Sequence, residues 1–394
     1  MKHNWTYKKL DEVCNVSAGQ GAPQGDENYC TEGTPFVKAG NIEDLLNGLD
    51  ENCIQKVTES VAKSHKLKLY KAGSVVFAKS GMSCMKGLVY TLKQDCHVVS
   101  HLAVLTPKEV NSSFLNYALK YFKPNKLVKD EAYPSISLSD ISNLSIPIPP
   151  IEPQSRIVSE LDLLQSIIDK QKAQLKQLDN LAQAIFYDMF GDPVENKKGW
   201  EVKKMNQICL IKGRIGFRGY TRNDYVDNPS DGAISLSPTN IVDGKMNYDK
   251  CSYVTWNKYY ESPEIMIYNG DILLVKTGSS YGKCAYVQNL PHEATINPQF
   301  VVIKEHNIES RDLTAYLQSE AAQIKYNEFV LGTAIPTFSQ KSLGDLPVLV
   351  PPSTMQQSFA QKIESIEWQK ELINQSIREA QTLFDSRMEY YFGE

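Results

Sequence analysis

The stretch YKAGSVVFAKSGMSCMKG (70–87) returns as IYNGDILLVKTGSSYGKC (267–284). Gly73 falls on Gly270, Lys79 on Lys276, Gly81 on Gly278 and Lys86 on Lys283. Three more anchors repeat in the same order: NWTYKKLDEVC (4–14) with GWEVKKMNQIC (199–209), YPSISLSDISNLSIPIPP (133–150) with IPTFSQKSLGDLPVLVPP (335–352), and MFGD (189–192) with YFGE (391–394). The offset is about 200 residues and drifts by a few, as loops gain or lose length. Such a chain must fold as two versions of one unit. The duplication also disposes of a nucleotide site at KTGSSYGKC. A P-loop needs four residues between its glycines and a Ser or Thr after the Lys. Here three residues separate Gly278 from Gly282, and Cys284 follows Lys283.

Each copy opens with a mixed segment. SVVFAK, HVVSHLAVLT, DILLVK and FVVIKE are short and rich in β-branched or aromatic residues, which predicts strands. NSSFLNYALKYF (111–122) and LTAYLQSEAAQIKYNEF (313–329) predict amphipathic helices. The fold class is α+β, with two pseudo-repeated mixed α/β domains. Each copy closes with a long helix, stopped off from the preceding strand by Pro149-Pro150 or Pro351-Pro352. Ile157, Leu161, Leu164, Ile168, Leu175 and Leu178 follow a 4,3 rhythm, and so do Ile363, Ile366, Ile373, Ile377 and Phe384. That is a coiled-coil seam. Each helix covers about 37 residues, roughly 55 Å at 1.5 Å per residue. One apolar stripe on so long a helix needs a partner. Either each helix packs on its own domain, or the two pair antiparallel and hold two similar heads a set distance apart; matching length and rhythm favour pairing. The expected division is 1–150 (first head), 151–198 (central spacer helix), 199–352 (second head) and 353–394 (C-terminal spacer helix).

At 394 residues, with 42% hydrophobic and 22% charged residues, the chain has the composition of ordinary globular domains. No run approaches the length of a membrane span, and MKHNWTYKKLDEV lacks a signal-peptide apolar core. The eight cysteines have no CxxC pair or zinc-ligand spacing, which fits free thiols in the cytoplasm. A net charge of −4 argues against a nonspecific DNA coat. The acid excess falls mainly on 151–198 and 353–394, so any nucleic acid is held by local patches on the heads.

The order of motifs resembles the specificity (S) subunit of type I restriction–modification systems. Trp5 and Trp200 sit near the start of each half. Gly-rich loops follow (SAGQGAPQGDENY, 17–29; IKGRIGFRGYTRNDY, 211–225), then strands ending in Asn-Ile (GTPFVKAGNI; GAISLSPTNI). Next come the Gly-Lys loops and the Pro-Pro start of a long helix with Gln154 or Gln356. The usual Pro-x-Glu-Gln at that start reads Ile-Glu-Pro-Gln and Ser-Thr-Met-Gln here. The resemblance implies two target-recognition domains, each reading one half of a bipartite double-stranded DNA target. It implies spacer helices that dock modification (methyltransferase) subunits, typically two, and restriction subunits in the full complex. The chain itself would be non-catalytic and need no cofactor; S-adenosylmethionine, ATP and Mg belong to its partners.

Candidate DNA contacts follow from side-chain chemistry. Lys79, Lys86, Lys276 and Lys283 can neutralise phosphates. Arg214, Arg218, Tyr220 and Arg222 share one Gly-rich loop, and Arg reads guanine O6/N7 through two hydrogen bonds. The first head has no arginine; its loop offers Gln20 and Gln24, which suit adenine N6/N7. Ser135, Ser137, Thr337 and Ser339 flank the Tyr-Pro and Ile-Pro turns and are either phosphate contacts or ordinary turn hydroxyls. INPQF (296–300) lacks the second proline of the Asn-Pro-Pro-aromatic loop of amino-methyltransferases, and the repeat puts Asn297 on Ser100, inside a predicted strand. The six histidines are scattered, with no Cys or Asp partner for metal or nucleophilic chemistry. Two rivals remain: a duplicated coiled-coil scaffold that binds proteins only, and a self-sufficient methyltransferase.

Overall fold

The computed structural model describes residues 5–216, 219–330 and 335–393. The chain divides into two compact units, Met1–Lys172 with Gln375–Glu394, and Ala173–Asn374. Each unit holds one head and portions of both long helices. Five helices frame the description: α1 (Ser112–Phe122), α2 (Ile151–Phe190), α3 (Ser310–Gln318), α4 (Glu320–Phe329) and α5 (Ser353–Phe392).

The two heads share one topology. In the first, an antiparallel sheet runs in the order Cys14–Ala18, Leu102–Pro107, Val75–Ala78, Val89–Thr91. In the second the order is Leu210–Gly213, Phe300–Lys304, Ile272–Val275, Cys284–Tyr286. The central strands VVFA and ILLV are buried along their whole length. Such unbroken apolar runs suit strands covered on both faces. Ile272 and Leu274 face one core, and Leu273 and Val275 face another. A second sheet in each head contains a parallel pair, Thr34–Val37 with His97–Val98, and Gly232–Leu236 with Ala294–Ile296.

Two predicted elements are broken in the structure. HVVSHLAVLT is two strands, because the chain leaves the second sheet at Val98, turns through Ser100 and His101, and joins the first sheet at Leu102. Ser100 therefore lies in a turn, not within a strand. The segment 313–329 is two helices. Ser319 is extended (ψ 155°), and its side chain accepts from the Ala322 N–H, capping α4.

The starts of both long helices are stapled alike. Gln154 is buried; its Oε1 accepts from the Asn111 N–H at 2.8 Å and its Nε2 donates to the Pro149 carbonyl at 2.8 Å. Gln356 repeats this with Glu309 N–H and the Pro351 carbonyl, both at 2.8 Å. One side chain thus satisfies the N-cap residue of α1 or α3 and the carbonyl left by a Pro-Pro pair.

Helices α2 and α5 pack together, and their antiparallel sense is visible inside each unit. In the first unit Ile157, Leu161, Leu164 and Ile168 share a core with Phe384, Met388 and Phe392 from the end of α5. Arg387 pairs there with Glu160, whose carboxyl is held below its usual pKa by the guanidinium. In the second unit Phe186 and Phe190 pack on Phe359 from the start of α5, with ring centroids 5.9 and 5.2 Å apart. Ile366 is buried there, whereas Leu175, Leu178, Ile363 and Ile373 are half-buried; Ile377, in the first unit, is half-buried too. Two polar links lie in the thin middle stretch: Gln171 donates to Ser376, and Lys370 pairs with Asp179. Toward its end α5 buries Phe384, Met388 and Phe392, a spacing of four that turns the stripe off the heptad and onto α1. Phe392 meets Phe114 at 5.3 Å and Phe384 meets Tyr117 at 6.1 Å. Trp5 stacks on Tyr391 at 6.3 Å, while Trp200 donates to the Phe190 carbonyl at 2.8 Å, so both tryptophans cover the end of a long helix.

Candidate nucleic-acid interface

In each head, four loop segments converge where the two sheets meet. In the first head, the Lys79 N–H donates to the His101 carbonyl at 2.9 Å, and the Ile136 N–H donates to the Lys79 carbonyl at 2.8 Å. The Gly81 N–H reaches the Pro134 carbonyl at 3.0 Å. In the second, Lys276 N–H meets the Gln299 carbonyl at 2.8 Å, Phe338 N–H meets the Lys276 carbonyl at 3.1 Å, and Gly278 N–H meets the Pro336 carbonyl at 2.9 Å. The Gly-Lys loop is thus pinned between the turn that joins the two sheets and the Tyr-Pro or Ile-Pro turn. Gly81 (φ 76°) and Gly278 (φ 98°) occupy left-handed backbone that glycine adopts without strain.

The Gly-rich loop supplies the fourth segment. The Gln20 N–H donates to the Val98 carbonyl and its carbonyl accepts from Ser100 N–H, at 2.8 and 2.7 Å. A side chain at Gly19 would come within 2.1 Å of the Val98 oxygen, so only glycine fits that crossing. In the second head the same contact is made by a side chain. Arg214 is buried; its Nε donates to the Ile296 carbonyl at 3.2 Å and its Nη2 to Thr295 Oγ1 at 3.2 Å. Its guanidinium also lies 3.8 Å from the Tyr220 ring centre and bonds the Tyr220 hydroxyl, which donates to the Ile296 carbonyl at 3.0 Å. Burial lowers the Arg214 pKa and raises that of Tyr220.

The predicted contact residues therefore separate by environment. Gln20 is occupied inside the fold: its Nε2 donates to the Tyr70 hydroxyl at 3.3 Å and its Oε1 accepts from the Lys68 N–H at 3.1 Å. Arg214 and Tyr220 are likewise engaged with the frame. Gln24 is exposed, with Nε2 on the Ala22 carbonyl at 2.9 Å. Arg222 and Lys283 are exposed, and Lys79 and Lys276 are half-buried in the convergence. Lys86 is exposed and ion-paired with Glu43. Arg218 lies outside the described residues.

Several groups at this convergence carry no clear signal in a single copy of the sequence. Ser80 Oγ and His101 Nδ1 share a hydrogen bond of 2.8 Å. Thr277 and Thr337 hydroxyls meet at 2.8 Å. Asn297 donates to Gln299 Oε1 at 3.0 Å and accepts from the Gln299 N–H at 3.0 Å, which makes INPQF a capped turn. Tyr133 and Met82 stand open to solvent beside the first Gly-Lys loop, at 83% and 71% exposure, and Ile335 beside the second at 65%. The backbone hydrogen bonds put His101 opposite Gln299, one residue away from the register of the repeat, which sets Asn297 on Ser100 and so His101 on Pro298. Among the described residues, no group of acidic, His or Cys side chains is arranged to hold a metal ion, and no helix is long and apolar enough to cross a membrane.

Comparison with known proteins returns one family for both halves. The model of the type I restriction modification DNA specificity domain matches residues 2–180 and 197–382. The MjaIX specificity subunit of a type I restriction enzyme from Methanocaldococcus jannaschii is 30% identical over 186 residues, 46% of this chain and 42% of that protein. The MjaVIII specificity subunit of the same organism is 21% identical over 364 residues, 88% of this chain and 79% of the relative. The crystal structure of a type I S subunit from M. genitalium shares the fold, with a TM-score of 0.54 at 14% identity, covering 99% of this chain and 96% of that one.

Proposed function

From the premise that the chain belongs to the type I restriction–modification DNA specificity family, we propose that it is the sequence-specific DNA-binding subunit of such a complex. Each head reads one half of a bipartite target, and the paired helices set the gap and dock modification subunits. The observation that carries this reading is the doubled convergence. Two heads pin the same three loops with the same backbone bonds, yet join the Gly-rich loop to them differently, by backbone in the first and by Arg214 in the second, and fill the site with different side chains. A shared frame with divergent contacts is what two unlike half-sites require. The boundaries proposed for these parts are 1–150 and 199–352 for the heads, 151–198 and 353–394 for the spacers.

Within the convergence, Lys79, Lys276, Lys283 and Arg222 contact phosphates, and Gln24 lies within reach of the duplex. Lys86 joins them on exchanging Glu43 for a phosphate. Gln20, Arg214 and Tyr220 hold the Gly-rich loop in shape for those contacts. The chain is non-catalytic and acts in the cytoplasm. Methyl transfer with S-adenosylmethionine, and ATP- and Mg-dependent cleavage, belong to modification and restriction subunits; two modification subunits match the two-fold repeat.

The test is the methylome of cells co-expressing the chain with a modification subunit from its own source. A methylated motif of two short defined halves around an undefined gap is expected. No new motif, together with no sequence-selective DNA binding by the purified complex, would leave a protein-binding scaffold instead. Methyl transfer by the purified chain alone would overturn the non-catalytic assignment.

A further inference from the structure

We propose that His101 in the first head and Gln299 in the second are base-reading residues at equivalent positions of the two half-sites. The inference rests on the DNA-specificity reading above and names side chains within it. Equivalence follows from the backbone: each carbonyl receives the N–H of the Gly-Lys loop lysine, Lys79 at 2.9 Å and Lys276 at 2.8 Å. Each residue ends the turn that carries the chain from one sheet to the other.

Both side chains are held from one side; His101 is exposed and Gln299 half-buried. His101 is exposed, with Nδ1 fixed on Ser80 Oγ at 2.8 Å. Its Nε2 has no partner among the described residues. Gln299 has Oε1 fixed by Asn297 Nδ2 at 3.0 Å, and its amide lies over Gly278, where an added side-chain carbon would come within 3.2 Å of Nε2. That Nε2 also has no partner among the described residues. A polar group already oriented by its neighbours loses little entropy on contact, which is the arrangement a discriminating contact needs.

Charge separates these two from the residues around them. The lysines beside them suit phosphates, which carry no sequence information. His101 and Gln299 present hydrogen-bond groups suited to base edges. The Gln299 amide can donate to adenine N7 and, through the second lone pair of Oε1, accept from adenine N6. His101 offers a single ring nitrogen, which suits one edge atom of a purine and discriminates less. The position changes identity between heads while the frame around it stays, as a specificity position should.

The test uses the full chain co-expressed with its modification subunit, reading the methylated motif and the binding of the purified complex to a randomised duplex library. Gln299→Ala should relax one adenine position in one half-site by about tenfold or more, leaving the other half-site intact. Gln299→Glu, which keeps the shape but only accepts, should move that position toward cytosine. His101→Ala should relax one position in the opposite half-site by a smaller factor. The salt dependence of binding should not change, since no phosphate contact is lost. If the wild type shows a bipartite motif and these variants keep it unchanged, or weaken all sequences uniformly, this inference fails alone. If the wild type has no bipartite preference, the specificity reading fails and takes this inference with it.

Discussion

At the scale of single residues, arginines that look interchangeable in the Gly-rich loop have different surroundings, Arg214 buried and Arg222 exposed. Arg214→Ala removes a stacked guanidinium, hydrogen-bonded to Ile296, Thr295 and Tyr220, from a buried position. It should lower stability by about 2–3 kcal/mol, because hydrogen bonds to charged groups are among the stronger ones and their partners stay buried. Chemical denaturation measures this. Arg222→Ala should leave the melt unchanged, weaken DNA binding, and reduce the slope of log K against log salt by about 0.9 for the lost phosphate. The converse result, a stable Arg214→Ala protein with normal loop geometry, would remove the frame role. Asp312 carries a pH prediction. It is 4% exposed, one carboxylate oxygen has no partner among the described residues, and burial, helped by Glu309, pushes its pKa up to about 7. The fold thus favours the protonated acid. That contribution is fully present below the ordinary carboxylate pKa of about 4 and is lost as pH rises toward 7, with no further change above. Asp312→Asn should cancel this slope and melt at a higher temperature than wild type at pH 8. Parallel pH profiles for the two proteins would show that Asp312 titrates normally. Neither residue's environment is legible locally: arginine beside glycine and tyrosine reads equally as a surface contact, and Asp312 replaces, in the second copy, the buried Phe114.

At the scale of elements, the repeat and the apolar runs made most of the architecture readable. VVFA and ILLV announced themselves as buried strands because both faces are covered, and the Pro-Pro pairs marked where strands stop. HVVSHLAVLT misled for a physical reason. Its residues are apolar throughout, and nothing local reports that the chain changes sheets at Ser100 and His101. Residues 313–329 misled because a serine at helical spacing gives no sign that it has become a cap. The long-helix rhythm identified Ile157 to Ile168 but not Phe186 and Phe190, which leave the heptad to pack on Phe359 and the second head's core. The glutamine staple yields a prediction at this scale. Gln154→Leu strands the Asn111 N–H and the Pro149 carbonyl in a buried site, which should cost about 2 kcal/mol or more. Amide hydrogen exchange should quicken at the starts of α1 and α2 while the second head is unaffected. Gln356→Leu should do the same to α3 and α5. Equal loosening of both heads by either variant would mean the staple is not local.

At the scale of the whole molecule, the proposed spacer makes a quantitative demand. Gln171 bonds Ser376 in the first unit and Asp179 pairs with Lys370 in the second, so Lys172–Leu178 and Glu371–Ile377 are the matched heptads to delete. Removing both heptads keeps the seam in register and shortens the helix pair by about 10 Å at 1.5 Å per residue. A heptad is nearly two full helical turns, so the deletion turns the helix ends by only about 20°. DNA behaves differently. A shift of about 10 Å is roughly three base pairs at 3.4 Å each, and three base pairs turn the grooves by about 100° when a full turn takes about 10.5. If the helix pair sets the gap, the deleted protein should methylate the same two half-sites with the gap shortened by two to four base pairs, about the distance predicted. It should also bind that target more weakly, because the DNA must twist to present both grooves. Long-read methylome sequencing gives the gap, and titration against duplexes of stepped gap length gives the penalty. An unchanged gap would place the ruler in the docked modification subunits, leaving α2 and α5 only to hold them.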